Sequence, residues 1–97
     1  MSLSVIVLTK NEEDMIAGCL KSVSFADEVV VIEDQSTDRT VYIARELGAT
    51  VFERKLDDFA SQRNFGLSKA RSDWMLFVDA GERVPDTLKE EIYETIR

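Results

Sequence analysis

Histidine is absent from these 97 residues, cysteine and proline occur once each, and glycine occurs four times. Without histidine the chain offers neither an imidazole general base nor a histidine-ligated zinc. With Cys19 alone, no internal disulfide can form, which fits a reducing compartment. Positive charge is scarce too: 12 Lys and Arg stand against 19 Asp and Glu, a net charge of −7. Nonspecific binding to nucleic acid or to an anionic membrane needs concentrated positive charge, so both are disfavoured. A local basic site for a phosphate is untouched by that argument. Long apolar runs are missing as well. The first, Val5 to Leu8, is too short for a signal peptide or a membrane span, and no basic leader precedes it. The expected location is cytoplasmic. Neither common glycine-rich phosphate loop occurs, which argues against a dinucleotide-binding domain or a P-loop.

What is present is a hydrophobic content of 44%, enough for a folded globule. The expectation is one small domain over residues 1–97, burying roughly 60–65% of its unfolded surface. Four short apolar runs stand out: "LSVIVLT" (3–9), "EVVVIED" (28–34), "TVFER" (50–54) and "DWMLFVD" (73–79). The first two are nearly continuous, as strands covered on both faces are, which favours a parallel sheet. Helical spacing fills the intervals. "NEEDMIAGCLKSV" groups Met15, Ile16, Cys19, Leu20 and Val23 on one face, which makes Cys19 a packed core thiol. "TDRTVYIARELGA" aligns Val41, Ala44 and Leu47 and closes on Gly48. "DDFASQRNFGLSKA" reads as a less regular helix, and "PDTLKEEIYETI" repeats Leu88, Ile92 and Ile96 after Pro85. The order β-α-β-α-β-α-β-α predicts a doubly wound α/β sheet, where ligands bind beyond the carboxyl ends of the strands.

Those ends are polar. Thr9-Lys10-Asn11-Glu12-Glu13 follows the first strand, Glu33 to Asp38 the second, and Asp79-Ala80-Gly81-Glu82 the fourth. Each has a bland reading as a helix start: Asn11 as a cap with Asp14 completing a capping box, and Ser36 or Thr37 as the next cap. Together, converging oxygen donors suit a hydroxyl-rich ligand carrying phosphates, held partly through a divalent cation.

The blocks "SVIVLTKNEE", "ADEVVVIEDQSTDRT", "QRNFGLSKA" and "WMLFVDAGERVP" resemble, in order and spacing, those of family 2 glycosyltransferases. These are inverting enzymes of the GT-A fold that use nucleotide-sugars, and the similarity leans toward the bacterial group that decorates lipopolysaccharide cores. The resemblance implies a strand order of 3-2-1-4. It places Thr9 and Asn11 in the nucleotide pocket, Glu33 and Asp34 against base or ribose, and Arg63 and Asn64 near the nucleotide. Asp79-Ala80-Gly81 falls on the Asp-x-Asp motif, whose last carboxylate holds Mg²⁺ or Mn²⁺ on the diphosphate.

Three departures stand out. Glu33 replaces a usual Asp, Gln35 a usual Gly, and Gly81 the metal-binding Asp. Glycine has no side-chain oxygen, so the metal site is weakened. Glu82 can substitute only if a turn re-aims it, since neighbours on a strand point oppositely. Enzymes of this fold are more than twice as long, so the expected part is a nucleotide-sugar-binding half, truncated or naturally short, that does not complete transfer alone. The rival expectation is a non-catalytic binding or assembly module with a degenerate pocket. Strand 73–79 would then be an edge strand with an apolar flank of Trp74, Leu76 and Phe77. A homodimer through that strand and the last helix follows.

Overall fold

The computed structural model describes residues 2–96. Strands and helices alternate: β1 (Leu3–Thr9), α1 (Ile16–Ser22), β2 (Glu28–Glu33), α2 (Thr40–Glu46), β3 (Thr50–Glu53), α3 (Phe59–Lys69), β4 (Trp74–Asp79) and α4 (Asp86–Ile96). The strands form one sheet ordered β3-β2-β1-β4, with every pairing parallel. The expected α/β class and the order 3-2-1-4 are both present.

Burial on two faces explains the continuous apolar runs. Leu3, Val5 and Val7 of β1 enter a larger cluster with Val31, Ile16, Cys19, Leu20, Val23 and Ala44. Ile6, pointing the other way, meets Val30 and Ile32, with Phe52, Phe65 and Phe77 packed around them. Full burial of each such aliphatic side chain contributes about 1.5–3 kcal/mol. On the Ile6 face α3 comes very close: a Cβ added at Gly66 would lie 2.7 Å from Ile6 Cγ2. Any side chain there would lift the helix. The start of α3 is fixed by Asp58, whose carboxylate accepts the Ser61 N–H at 2.8 Å and its hydroxyl at 3.0 Å. Gly48, at φ +88°, terminates α2 in the left-handed conformation.

Two helix starts differ from expectation. The first helix begins at Ile16, not Asn11, and Asn11 sits at φ +50° instead of capping it. The backbone N–H groups of Asn11, Glu12 and Glu13 donate across the sheet edge to Ser36 Oγ, Thr40 Oγ1 and Asp38 Oδ2, at 2.9, 2.8 and 3.2 Å. Those partners hold residues 11–15 out of the helix and leave Met15 exposed. Likewise α2 begins at Thr40, and neither Ser36 nor Thr37 caps it. Asp38 Oδ1 instead accepts the Thr40 N–H and hydroxyl, at 2.9 and 2.5 Å. The hydroxyl bond above all holds the Asp38 carboxyl below its usual range.

Elsewhere the apolar stripes shift slightly. Ile43 packs on the core beside Ala44, whereas Leu47 is exposed; in α4, Ile92 and Ile96 pack inward and Leu88 does not. Leu76 and Val78 join the larger core while Phe77 joins the smaller, so β4 presents two faces and not one flank. The larger-core face is shared with Val84, Ile92 and Ile96, which bring α4 back over it. No helix among the described residues is long and apolar enough to cross a membrane.

Candidate functional site

A cavity of about 790 Å³ opens where β1, β2 and β4 end. Its walls come from Leu8 to Lys10, from Asp34, from Leu56, Phe59, Gln62 and Arg63, and from Phe77 to Glu82. Thr9, Asp34, Arg63, Asp79 and Glu82 were all expected at a site, and the fold brings these five together. Asn11, Glu33 and Asn64 do not line the cavity.

Strand alternation separates Glu33 from Asp34. Glu33 is fully buried behind the sheet edge, where its Oε1 accepts the Ser36 N–H. Its register partner Thr9 is also buried, and Glu33 Oε2 and Thr9 Oγ1 have no hydrogen-bond partner among the described residues. Asp34 faces the cavity instead. Its Oδ1 accepts the Leu56 N–H at 3.1 Å, and Oδ2 lies 3.9 Å from Lys10 Nζ, leaving a carboxylate edge toward the open space. Asn11 acts as a clasp between two loops. It donates its N–H to Ser36 Oγ at 2.9 Å, and its Oδ1 accepts the Thr37 N–H at 2.8 Å. Gln35 beside it holds φ +50°, a conformation that favours glycine, so the backbone itself accounts for the Gly usual at this position.

The α3 wall is braced from below. Buried Gln62 accepts from Arg54 Nη1 at 2.7 Å and donates to the Arg54 carbonyl at 2.8 Å. Arg54 also bonds Asp57 at 3.1 Å, and this contact is the main reason the Asp57 carboxyl lies below its usual range. Next to Gln62 in the chain, the Arg63 guanidinium lies 4.7 Å from the Phe77 ring centroid, which orients its charge along the cavity wall. Asn64, the next residue, is exposed on α3 outside the cavity. Gln62 was not singled out from sequence; its four-residue spacing from Gly66, both buried, is the signal that marks the inward face.

At β4 the chain turns sharply. The Asp79 carbonyl accepts the Glu82 N–H, and the Glu82 carboxylate accepts the Asp79 N–H, both at 2.9 Å. This turn does re-aim Glu82 to the cavity side occupied by Asp79, and Gly81 achieves it without a positive φ. A Cβ at Gly81 would meet nothing within 4 Å. Beyond the turn, the Arg83 guanidinium lies against α1 so closely that a Cβ at Gly18 would be 2.3 Å from Nη2. Behind it, buried Cys19 has its Sγ 3.5 Å from the Asp79 carbonyl oxygen. Burial first, then the Glu82 and Asp79 charges, push this thiol up to about 11.

Asp79 and Glu82 therefore supply two carboxylates at one end of the cavity. No group of three acidic or thiol ligands occurs among the described residues. Magnesium-type sites commonly use one or two carboxylates plus substrate phosphates, so the pair fits a cation only when a diphosphate completes the shell.

The glycosyl transferase family 2 pattern matches residues 4–97. The chain belongs to that family. Among its relatives, glycosyltransferase RT0209 of Rickettsia typhi is 41% identical over 91 residues, 93% of this chain and 31% of its own. The lipopolysaccharide core biosynthesis glycosyltransferase LpsC of Rhizobium meliloti is 27% identical over 101 residues, 99% of this chain and 37% of its own. Among solved structures, TarS 1–349 of S. aureus superposes with a TM-score of 0.81 at 33% identity, covering 96% of this chain and 32% of that fragment. The complex of the same TarS fragment with UDP gives a TM-score of 0.71. A likeness in fold alone, at 23% identity and TM-score 0.70, extends to glucosyl-3-phosphoglycerate synthase of Mycobacterium tuberculosis bound to Mn²⁺, UDP and glucosyl-3-phosphoglycerate. The chain spans about 31% of the length of RT0209, 32% of the TarS 1–349 chain and 35% of the synthase chain.

Proposed function

We propose that residues 1–97 form the nucleotide-diphosphate-sugar-binding part of an inverting glycosyltransferase, and that they do not complete transfer by themselves. The observation carrying this reading is the convergence of Thr9, Asp34, Arg63, Asp79 and Glu82 on one cavity at the strand ends. The carboxylate of Asp34, set between Leu56 and Lys10, faces base or ribose. Arg63 offers its guanidinium to the diphosphate, and Asp79 with Glu82 would hold Mg²⁺ or Mn²⁺. When bound, that cation neutralises charge growing on the departing nucleotide. With Gly81 in the Asp-x-Asp position, its grip is weak. The binding of UDP by TarS supports the reading, and the inverting course follows from the family resemblance. A single buried cysteine, with no second cysteine among residues 1–97 to pair with, suits a cytoplasmic setting.

Calorimetric titration with UDP and GDP, with and without Mn²⁺, tests the reading. Saturable binding of either nucleotide at micromolar to low millimolar concentration is expected. Failure of both at 10-fold higher concentration, about 1.4 kcal/mol weaker, would overturn it. One observation favours a second reading, a non-catalytic assembly module: the acidic cluster stops at two carboxylates where three ligands would make a self-sufficient site. That reading predicts no nucleotide binding and a well-folded chain.

A further inference from the structure

Phe59 is 70% exposed, more than any other large hydrophobic side chain among the described residues, and it borders the cavity. The remaining phenylalanines all have something against the ring. Phe25 meets Tyr93 at 5.5 Å, Phe52 meets Phe65 at 6.2 Å, and Phe77 lies under Arg63. Phe59 has neither an aromatic nor a cationic partner among the described residues. It is not a loose side chain on a wandering loop, however. Asp58 caps the helix that Phe59 opens, Gln62 locks the first turn to Arg54, and the Leu56 N–H is held by Asp34. An apolar ring is thus held in place at the edge of the cavity, at the cost of leaving it exposed to solvent.

Its position in the sheet says what would cover it. Leu56 and Phe59 come from the segment between β3 and α3, where the Leu56 N–H is held by Asp34 after β2, whereas the Asp79–Glu82 turn follows β4. The aromatic wall of the cavity is therefore the one beside Asp34, and the Asp79–Glu82 carboxylates come from another strand end. A ligand whose phosphates lie at the β4 carboxylates through a cation brings its flat, uncharged end to Phe59. We propose that Phe59 is the stacking shelf for the nucleobase. The inference rests on the nucleotide-diphosphate reading above. Stacking on a ring face tolerates any base, so Phe59 contributes affinity while Asp34, beside it, contributes discrimination.

The test is calorimetry on the 97-residue protein with Mn²⁺, using whichever of UDP and GDP binds, and pyrophosphate as the ligand without a base. Phe59→Ala should weaken nucleotide binding about tenfold and leave pyrophosphate binding within about twofold. Phe59→Tyr, which keeps the ring, should restore the nucleotide affinity. Because Phe59 belongs to neither core cluster, the alanine variant should melt with the parent. Unchanged nucleotide affinity in Phe59→Ala overturns the shelf, and so does an equal loss toward pyrophosphate. A parent protein that binds neither nucleotide instead overturns the binding reading itself.

Discussion

At the scale of single residues, Cys19 shows how burial becomes a pH dependence. Its thiol is raised from 9.0 to about 11 by burial and the nearby Glu82 and Asp79 charges. In the unfolded chain it returns to its ordinary value. Between those values the unfolded state releases a proton that the folded state keeps. Stability is therefore intact below about pH 9 and falls as pH climbs toward 11, by at most ~1.4 kcal/mol per unit. Urea unfolding at neutral pH and at pH 10 should show a larger loss in the parent than in Cys19→Ala; equal losses would contradict it. Gly81 offers the complementary case. Its free surroundings and ordinary φ mean that Gly81→Asp adds a carboxylate without strain. Manganese-dependent binding of the nucleotide should tighten about tenfold, or ~1.4 kcal/mol, read by titration with and without the metal. A parent already strongly dependent on Mn²⁺ would point to Glu82 as a full ligand. Residue by residue, legibility followed alternation. Asp34 and Asp79 could be placed at strand ends because they close apolar runs, and both line the cavity. Glu33 was drawn into the same site by adjacency, although period-two alternation turns it behind the sheet.

At the scale of elements, the strands were readable and the helix starts were not. A buried parallel strand writes its burial into consecutive residues, so Leu3–Thr9 matches the first apolar run end to end. The segment before α1 looks helical because its acidic residues suit a first turn. What decides it lies 25 to 28 residues away, in the Ser36, Asp38 and Thr40 side chains that take its N–H groups. No local pattern carries that information. The same cross-loop bonds suggest a test. Asn11→Ala removes the Oδ1 acceptor from the Thr37 N–H and a side chain suited to φ +50°. It should cost about 1–2 kcal/mol in urea unfolding, while Asn64→Ala, exposed on α3, should change stability by less than about 0.5 kcal/mol. Similar effects of the two would mean the clasp contributes little.

For the whole molecule, β4 is an edge strand of the sheet among the described residues, with Trp74 and Met75 exposed and no Lys or Arg between residues 74 and 82. Long, uncharged edges invite pairing with another chain. The expected result is a homodimer through β4 and α4, where Leu88 and Tyr93 are also exposed. Light scattering over a concentration series checks it: a monomer at high micromolar protein would exclude the dimer. The packing of Ile92 and Ile96 against the Leu76 face already covers one side of this edge, so pairing would use the backbone and the Met75 side. The overall topology was legible because the family resemblance, together with the crossover rules, places strand four beside strand one. The association state was not, since it depends on surfaces that a linear pattern does not order. The contact of α3 with Ile6 at Gly66 has a mechanical consequence for the assembled domain. Gly66 lies seven residues, about 10 Å along the axis, from Phe59, so how closely its bare backbone sits on Ile6 sets the tilt at which α3 meets the cavity. A tilt of about 5° there would swing the mouth of the cavity by roughly 1 Å. The smallest residue in the helix thereby governs the aperture at its far end.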